Sequence, residues 1–143
     1  IGEQRRYVGA ASAAVAAVNR GTIENVFVEG EVMGAGHKWV AGVVFNNFGT
    51  VKNCISLVKL TNEGEALGVA GIAYNNSGTV ENCFVDKTVT GITQILGTAD
   101  AELDANCLET AAMQTVSTYG PFDSSVWTIE AGAYPVMKKG IAG

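Results

Sequence analysis

Val40-Ala41-Gly42-Val43-Val44-Phe45-Asn46-Asn47-Phe48-Gly49-Thr50-Val51-Lys52-Asn53-Cys54 returns as Val69-Ala70-Gly71-Ile72-Ala73-Tyr74-Asn75-Asn76-Ser77-Gly78-Thr79-Val80-Glu81-Asn82-Cys83. A weaker copy precedes both, running from Ser12 to Arg20 and on through Gly21-Thr22-Ile23-Glu24-Asn25-Val26. Equivalent glycines are separated by 28 residues from Gly21 to Gly49 and by 29 from Gly49 to Gly78, so each copy is expected to form one coil of a repeating architecture. A period of this length holds two or three short strands with their turns. The units are β-branched, aromatic and glycine-rich, carry the turn pairs Asn46-Asn47 and Asn75-Asn76, and lack the three-and-four spacing of amphipathic helices. The pattern predicts an all-β fold: a right-handed β-solenoid, or β-helix-like stack, of coils about 28–29 residues long, with a C-terminal cap containing a short helix. The coils are expected at about residues 12–34, 40–62 and 69–91 and the cap at 98–143, in a single domain, 1–143, that is a piece of a longer protein.

Coils stacked in register, about 4.8 Å apart, place equivalent side chains in vertical ladders. Ile23, Val51 and Val80 form one apolar ladder; Val26, Cys54 and Cys83 form a second; Val32, Leu60 and Val89 form a third. Asn25, Asn53 and Asn82 form a polar ladder suited to a turn, where each amide can bond its neighbour's amide and free backbone groups. Glu24, Lys52 and Glu81 alternate in sign at one position, which supports this register. Ala10 to Val18 leaves two alternatives open: helix propensity favours a helical cap, whereas the repeat alignment makes it a strand.

The 143 residues suffice for one core, and 48% apolar with 16% charged residues describes a folded chain. A net charge of −5, with the basic residues scattered, gives no footprint for a phosphate backbone, so nucleic acid is not an expected partner. The longest nearly apolar stretch, Ala10 to Val18, is far short of the roughly 20 residues of a membrane-spanning helix. Cys54, Cys83 and Cys107 are too few and too widely spaced for a disulfide framework or a zinc site; they read as buried thiols, and no metal or other cofactor is expected. The single histidine, His37, stands without a second histidine or a cysteine nearby.

If Val26, Cys54 and Cys83 face inward, strand alternation turns Phe27, Ile55 and Phe84 outward together with Glu29 and Asp86. Either the cap or a neighbouring domain covers such an apolar stripe, or it is a glycan- or protein-binding face; these five residues are the candidate binding residues. Glu29 and Asp86 occupy one repeat position with Leu57 between them, roughly 9.6 Å apart, within the range of paired carboxylates in inverting glycosidases. Glu31 has Lys59 and Thr88 as its equivalents.

The repeats resemble the GLUG motif repeats of bacterial surface and secreted proteins. The likeness is carried by Asn47, Gly49, Thr50, Val51, Asn53 and Cys54, by Asn76, Gly78, Thr79, Val80, Asn82 and Cys83, and by Asn19, Gly21, Thr22, Ile23 and Asn25, with Val26 in place of the cysteine. The closing glycine of the name-giving Gly-Leu-x-Gly core is replaced in each copy, by Ala17, Phe45 and Tyr74. The tail, Thr110 to Met113, Tyr119 to Asp123, Val126 to Ile129 and Ala133 to Val136, resembles segments that close such arrays. By residue type, Thr110 would cap a short helix and Phe122, Trp127 and Tyr134 would cover the exposed last coil. The resemblance implies a secreted or cell-surface location and a non-enzymatic module for adhesion, with a glycan or host protein as partner, or for spacing between neighbouring domains of a longer chain. The alternative is a fragment of a polysaccharide-active β-helix enzyme using Glu29, Glu31 and Asp86.

Overall fold

A computed structural model of the chain describes residues 11–13, 15–33, 39–61 and 68–138. His37 lies outside them, as do Ala10 and Ala14. The fold is mainly β, and most of its sheets are parallel.

The 28- and 29-residue spacings reappear as strand pairing. The first copy supplies β1 (Ala11–Ala13), β2 (Ala16–Asn19) and β3 (Thr22–Met33); the second supplies β4 (Trp39–Ala41), β5 (Val44–Asn47) and β6 (Thr50–Thr61). The third supplies β7 (Gly68–Ala70), β8 (Ala73–Asn76), β9 (Thr79–Glu81) and β10 (Phe84–Asp86). Equivalent strands pair in parallel as β1-β4-β7 and β2-β5-β8, while β3 pairs β6, which pairs both β9 and β10. Thr22 lies beside Thr50 and Thr50 beside Thr79, as the repeat alignment requires. The alanine-rich first copy is therefore strand where it is described, because pairing with β4 and β5 outweighs its helix propensity.

Asn25, Asn53 and Asn82 occupy the left-handed region, with φ of 55°, 55° and 51°. Asparagine tolerates this conformation better than most side chains, and here it turns each long strand. The turn resets the alternation: Val51 and Cys54, three residues apart, both enter the inner core. The expected amide ladder does not run through these residues. It runs through Asn19, Asn47 and Asn76, where Asn19 Nδ2 donates to Asn47 Oδ1 and Asn47 Nδ2 to Asn76 Oδ1, each at 2.9 Å. Each of these two Nδ2 groups also reaches the carbonyl of the following copy's threonine, Thr50 or Thr79, at 3.1 Å. A second amide contact joins Asn75 Nδ2 to Asn46 Oδ1 at 2.8 Å. Two residues beyond the ladder, the glycines are sterically required: a Cβ on Gly49 would lie 2.0 Å from the Gly21 carbonyl oxygen, and one on Gly78 would lie 2.0 Å from that of Gly49.

Val89 does not join the register of Val32 and Leu60. Val32 pairs with Leu60, but Val89 lies in the helix α1 (Lys87–Thr90) and is exposed. Asp86 caps that helix by accepting from the Thr88 and Val89 amides at 2.9 and 3.0 Å, and Gly91 ends it at φ 74°. Thr88 accordingly leaves the strand position of Glu31 and Lys59. The chain then closes the end of the stack with non-repeat segments. Gln94 and Ile95 carbonyls accept from the Gly71, Ile72 and Ala73 amides, Gly97 donates to Tyr74, and β11 (Cys107–Leu108) pairs with β10 beyond the helix α2 (Ala101–Asp104).

Two large apolar clusters result. The inner one runs from Val26 and Val28 through Val51, Cys54 and Val80 to Ile92, Ile95 and Cys107. The outer one lies against the opposite face of β3, β6 and β10. There Ile55, Leu57 and Phe84 meet Met113 of the helix α3 (Thr110–Met113), Tyr119 at the end of the 3₁₀ turn Val116–Tyr119, Phe122 just after it, and Trp127 of β12 (Trp127–Thr128), which pairs antiparallel with β13 (Val136–Met137). At about 1.5–3 kcal/mol for each large side chain buried, this second cluster contributes as much as many small cores.

Candidate functional site

Phe27, Ile55, Phe84, Glu29 and Asp86 are brought together on one flank, but not as an exposed face. Ile55 is 0% and Phe84 5% exposed, and Phe27 is half-buried; Glu29 stays in solvent. The C-terminal segment packs over the stripe as the sequence alternatives allowed. Phe84 meets Tyr119 and Phe122 edge-on at 5.0 and 5.7 Å, Phe122 meets Trp127 at 5.1 Å, and Phe27 meets Tyr134 at 6.2 Å. Trp127 Nε1 donates to Asn25 Oδ1 at 3.1 Å, tying the tail to the first copy. The aromatic tail therefore clamps the flank across all three copies, whereas the end of the stack is closed by residues 92–108. Phe122 and Tyr134 reach the last copy at Phe84 and Asp86, as expected, but from its flank, while Trp127 is tied to Asn25 of the first copy.

Asp86 is the hub of the clamp and is fully buried. Besides its two backbone donors, its Oδ2 accepts from Thr110 Oγ1 at 2.8 Å and from Tyr134 Oη at 2.5 Å. Thr110 is thus not the helix cap expected of it; Glu109 holds that place without a side-chain bond, and Thr110 anchors the helix to Asp86 instead. Burial by itself would raise the Asp86 pKa, but the Tyr134 hydroxyl, the Val89 amide, Thr110 and the Thr88 amide together hold it below the usual carboxylate value. Burial and the Asp86 carboxylate push Tyr134 up to about 12. Burial raises Tyr119, whose hydroxyl donates to the Met113 carbonyl, and lifts Cys107 to about 11 with help from Asp104. Cys83 is raised by its hydrogen bond with Cys54 and then by burial. Each shift moves its group away from neutral pH, opposite to what a general acid or base requires.

Among the described residues no group of three or more His, Cys, Asp or Glu side chains could hold a metal ion, and no helix is long and apolar enough to cross a membrane. No protein-family model, curated protein or solved structure matches the chain. The site must be read from its geometry.

The described residues also form a concavity. A groove of about 510 Å³ lies between β7 and the segment after α1, lined by Gly68, Val69, Thr90, Gly91, Ile92, Thr93, Gln94 and Gly97. Its volume suits a small ligand, and none of the described residues that line it is charged. The Thr90 hydroxyl is committed to the Asp86 carbonyl and the Ile92 amide, and Gln94 Nε2 to the Leu96 carbonyl. Gly68 and Gly97 both abut the Tyr74 ring, which stacks on Phe45 at 5.3 Å with the planes 2° apart. Phe45 and Tyr74, at equivalent positions of the second and third copies, pack with Ala13, Ala41 and Ala70 in a small third cluster. Sequence reading missed this groove, because it arises where the third copy departs from the repeat. The available signal was Asp86 followed by Gly91 at helix-cap spacing.

Proposed function

We propose that the chain is a non-catalytic right-handed β-solenoid module of a bacterial secreted or cell-surface protein, of the kind the GLUG resemblance implies, and that it serves as a structural spacer. The observation that carries this reading is where the chemically capable groups are engaged. The buried asparagines at the ladder bond to neighbouring copies, and Ile55 and Phe84 of the apolar stripe lie beneath the aromatic clamp. Asp86, the carboxylate that motivated a polysaccharide-cleaving alternative, accepts from four donors and is closed to solvent. Continuous parallel pairing between copies supports a stiff element that fixes the distance between neighbouring domains.

A second reading, glycan adhesion, is favoured by one observation: the groove at Gly68 and Thr90 to Gly97. A screen of the folded chain against immobilised glycans and host matrix proteins separates the two. The spacer reading expects no saturable binding. Saturable glycan binding that is lost in Thr93→Arg, with an unchanged unfolding midpoint, would replace it with adhesion. Cleavage of a polysaccharide by the pure chain, abolished in Asp86→Asn, would overturn both.

A further inference from the structure

The two ends of the stack are chemically unlike. At the C-terminal end, amides of Gly71, Ile72, Ala73 and Val85 are all satisfied by non-repeat chain. At the N-terminal end β1, β2 and β3 each have a partner on one side only among the described residues.

Three independent features of this first copy are those of an interior copy rather than an end. Gly21 is the first. Gly49 and Gly78 must be glycine because the preceding copy's carbonyl oxygen stands where a Cβ would be, yet a Cβ on Gly21 would meet nothing within 4 Å, and its φ is not positive. The second is Asn19. Asn47 Oδ1 accepts from the Gly49 amide and from Asn19, and Asn76 Oδ1 from the Gly78 amide and from Asn47, whereas among the described residues Asn19 Oδ1 accepts from the Gly21 amide alone. In Asn47 and Asn76 the second donor is the amide of the preceding copy's asparagine. The third is apolar surface. Val15 is 36% exposed, although Val43 and Ile72, the residues at its place in the other copies, are 0% exposed.

We propose that the edge formed by β1, β2 and β3 is an interface for one further parallel coil of the same repeat, carrying an Asn-Xaa-Gly corner whose amide donates to Asn19 Oδ1 and whose glycine carbonyl fits over Gly21. This extends the stacked-coil reading above and rests on it. The occupant is a coil joined on the N-terminal side. A second copy of this chain does not fit, because its own parallel edge is covered by residues 92–108 and edge-to-edge apposition with the cores aligned would set the strands antiparallel. The edge makes the module a terminator with one growing face, which otherwise would be an unprotected template for misassociation.

The test splices a second copy of the sequence of residues 39–67 ahead of Ala11 in the full chain, and combines it with Gly21→Ala. The longer chain is expected to unfold in one transition at a higher midpoint, with slowed amide exchange along β3. Gly21→Ala should leave the original chain's midpoint unchanged or slightly higher but abolish the gain in the longer one, where its Cβ meets the inserted carbonyl. No gain on insertion, or an equal effect of Gly21→Ala at both lengths, overturns the proposal. So does a dimer of the original chain that survives Gly21→Ala, or loss of β3 protection on deleting residues 1–10, since another occupant then covers the edge. Gly49→Ala is the control for the underlying stack: if it leaves the original chain's midpoint unchanged, the stacked-coil reading fails first.

Discussion

Asp86 joins the repeat stack, α1 and the aromatic clamp, so its removal should be felt in all three. In Asp86→Ala the α1 cap is lost, at about 1 kcal/mol. Thr110 Oγ1 and Tyr134 Oη lose a charged acceptor, at roughly 1.5–3 kcal/mol each. Relief from burying a carboxylate offsets part of this, leaving a net destabilisation of about 2–4 kcal/mol, a large share of the ~5–15 kcal/mol that holds a domain folded. Asp86→Asn keeps the cap, since asparagine caps as well as aspartate, and should cost less, about 1–3 kcal/mol. The pH dependence has a definite sign. Because the folded Asp86 pKa lies below its unfolded value, its stabilisation is present above the ordinary carboxylate range and is lost as pH falls through the folded value, below about pH 4. Urea unfolding followed by tryptophan fluorescence, near neutral pH and across the acid limb, measures both effects. A cost below about 0.5 kcal/mol for Asp86→Ala, or an acid limb unchanged in Asp86→Asn, would refute the hub.

Trp127→Ala should cost about 3–5 kcal/mol and free the clamp, so that Ile55 and Phe84 become accessible and a hydrophobic dye binds before global unfolding; Trp127→Phe, losing mainly the bond to Asn25, should cost ~1 kcal/mol. Asn47→Asp replaces a buried donor by a charge aimed at Asn76 Oδ1 and the Thr79 carbonyl, and should cost at least about 3 kcal/mol in chemical denaturation, more than the same change at the exposed Asn75. Cys54, Cys83 and Cys107 are buried free thiols, so a thiol reagent at mildly alkaline pH should label none of them in the native chain and all three in denaturant; labelling of Cys83 at the rate of a free thiol would contradict its packing against Cys54.

The register was legible because stacking imposes one geometry on equivalent residues. Thr22, Thr50 and Thr79 stand together since nothing else satisfies three near-identical strands at once. The role of each asparagine column was not legible to the same degree. A column of amides at Asn25, Asn53 and Asn82 and another at Asn19, Asn47 and Asn76 look alike as sequence, and only the backbone angle decides that the first turns the chain while the second bonds along it. Alternation likewise showed that Phe27, Ile55 and Phe84 leave the inner core but held no information on what folds over them, which depends on a tail more than 25 residues further on. Aligning Asp86 with Glu29 hid the one residue where the repeat ends. Physically the two differ in reach and in partners: Asp86, on a shorter side chain, holds the amides of α1 and the hydroxyls of the clamp, while Glu29 remains on the solvent side of the first copy. A repeat position is informative about stacking for as long as its neighbours are repeats. Beyond Asp86 they are not, and both the groove and the clamp begin there.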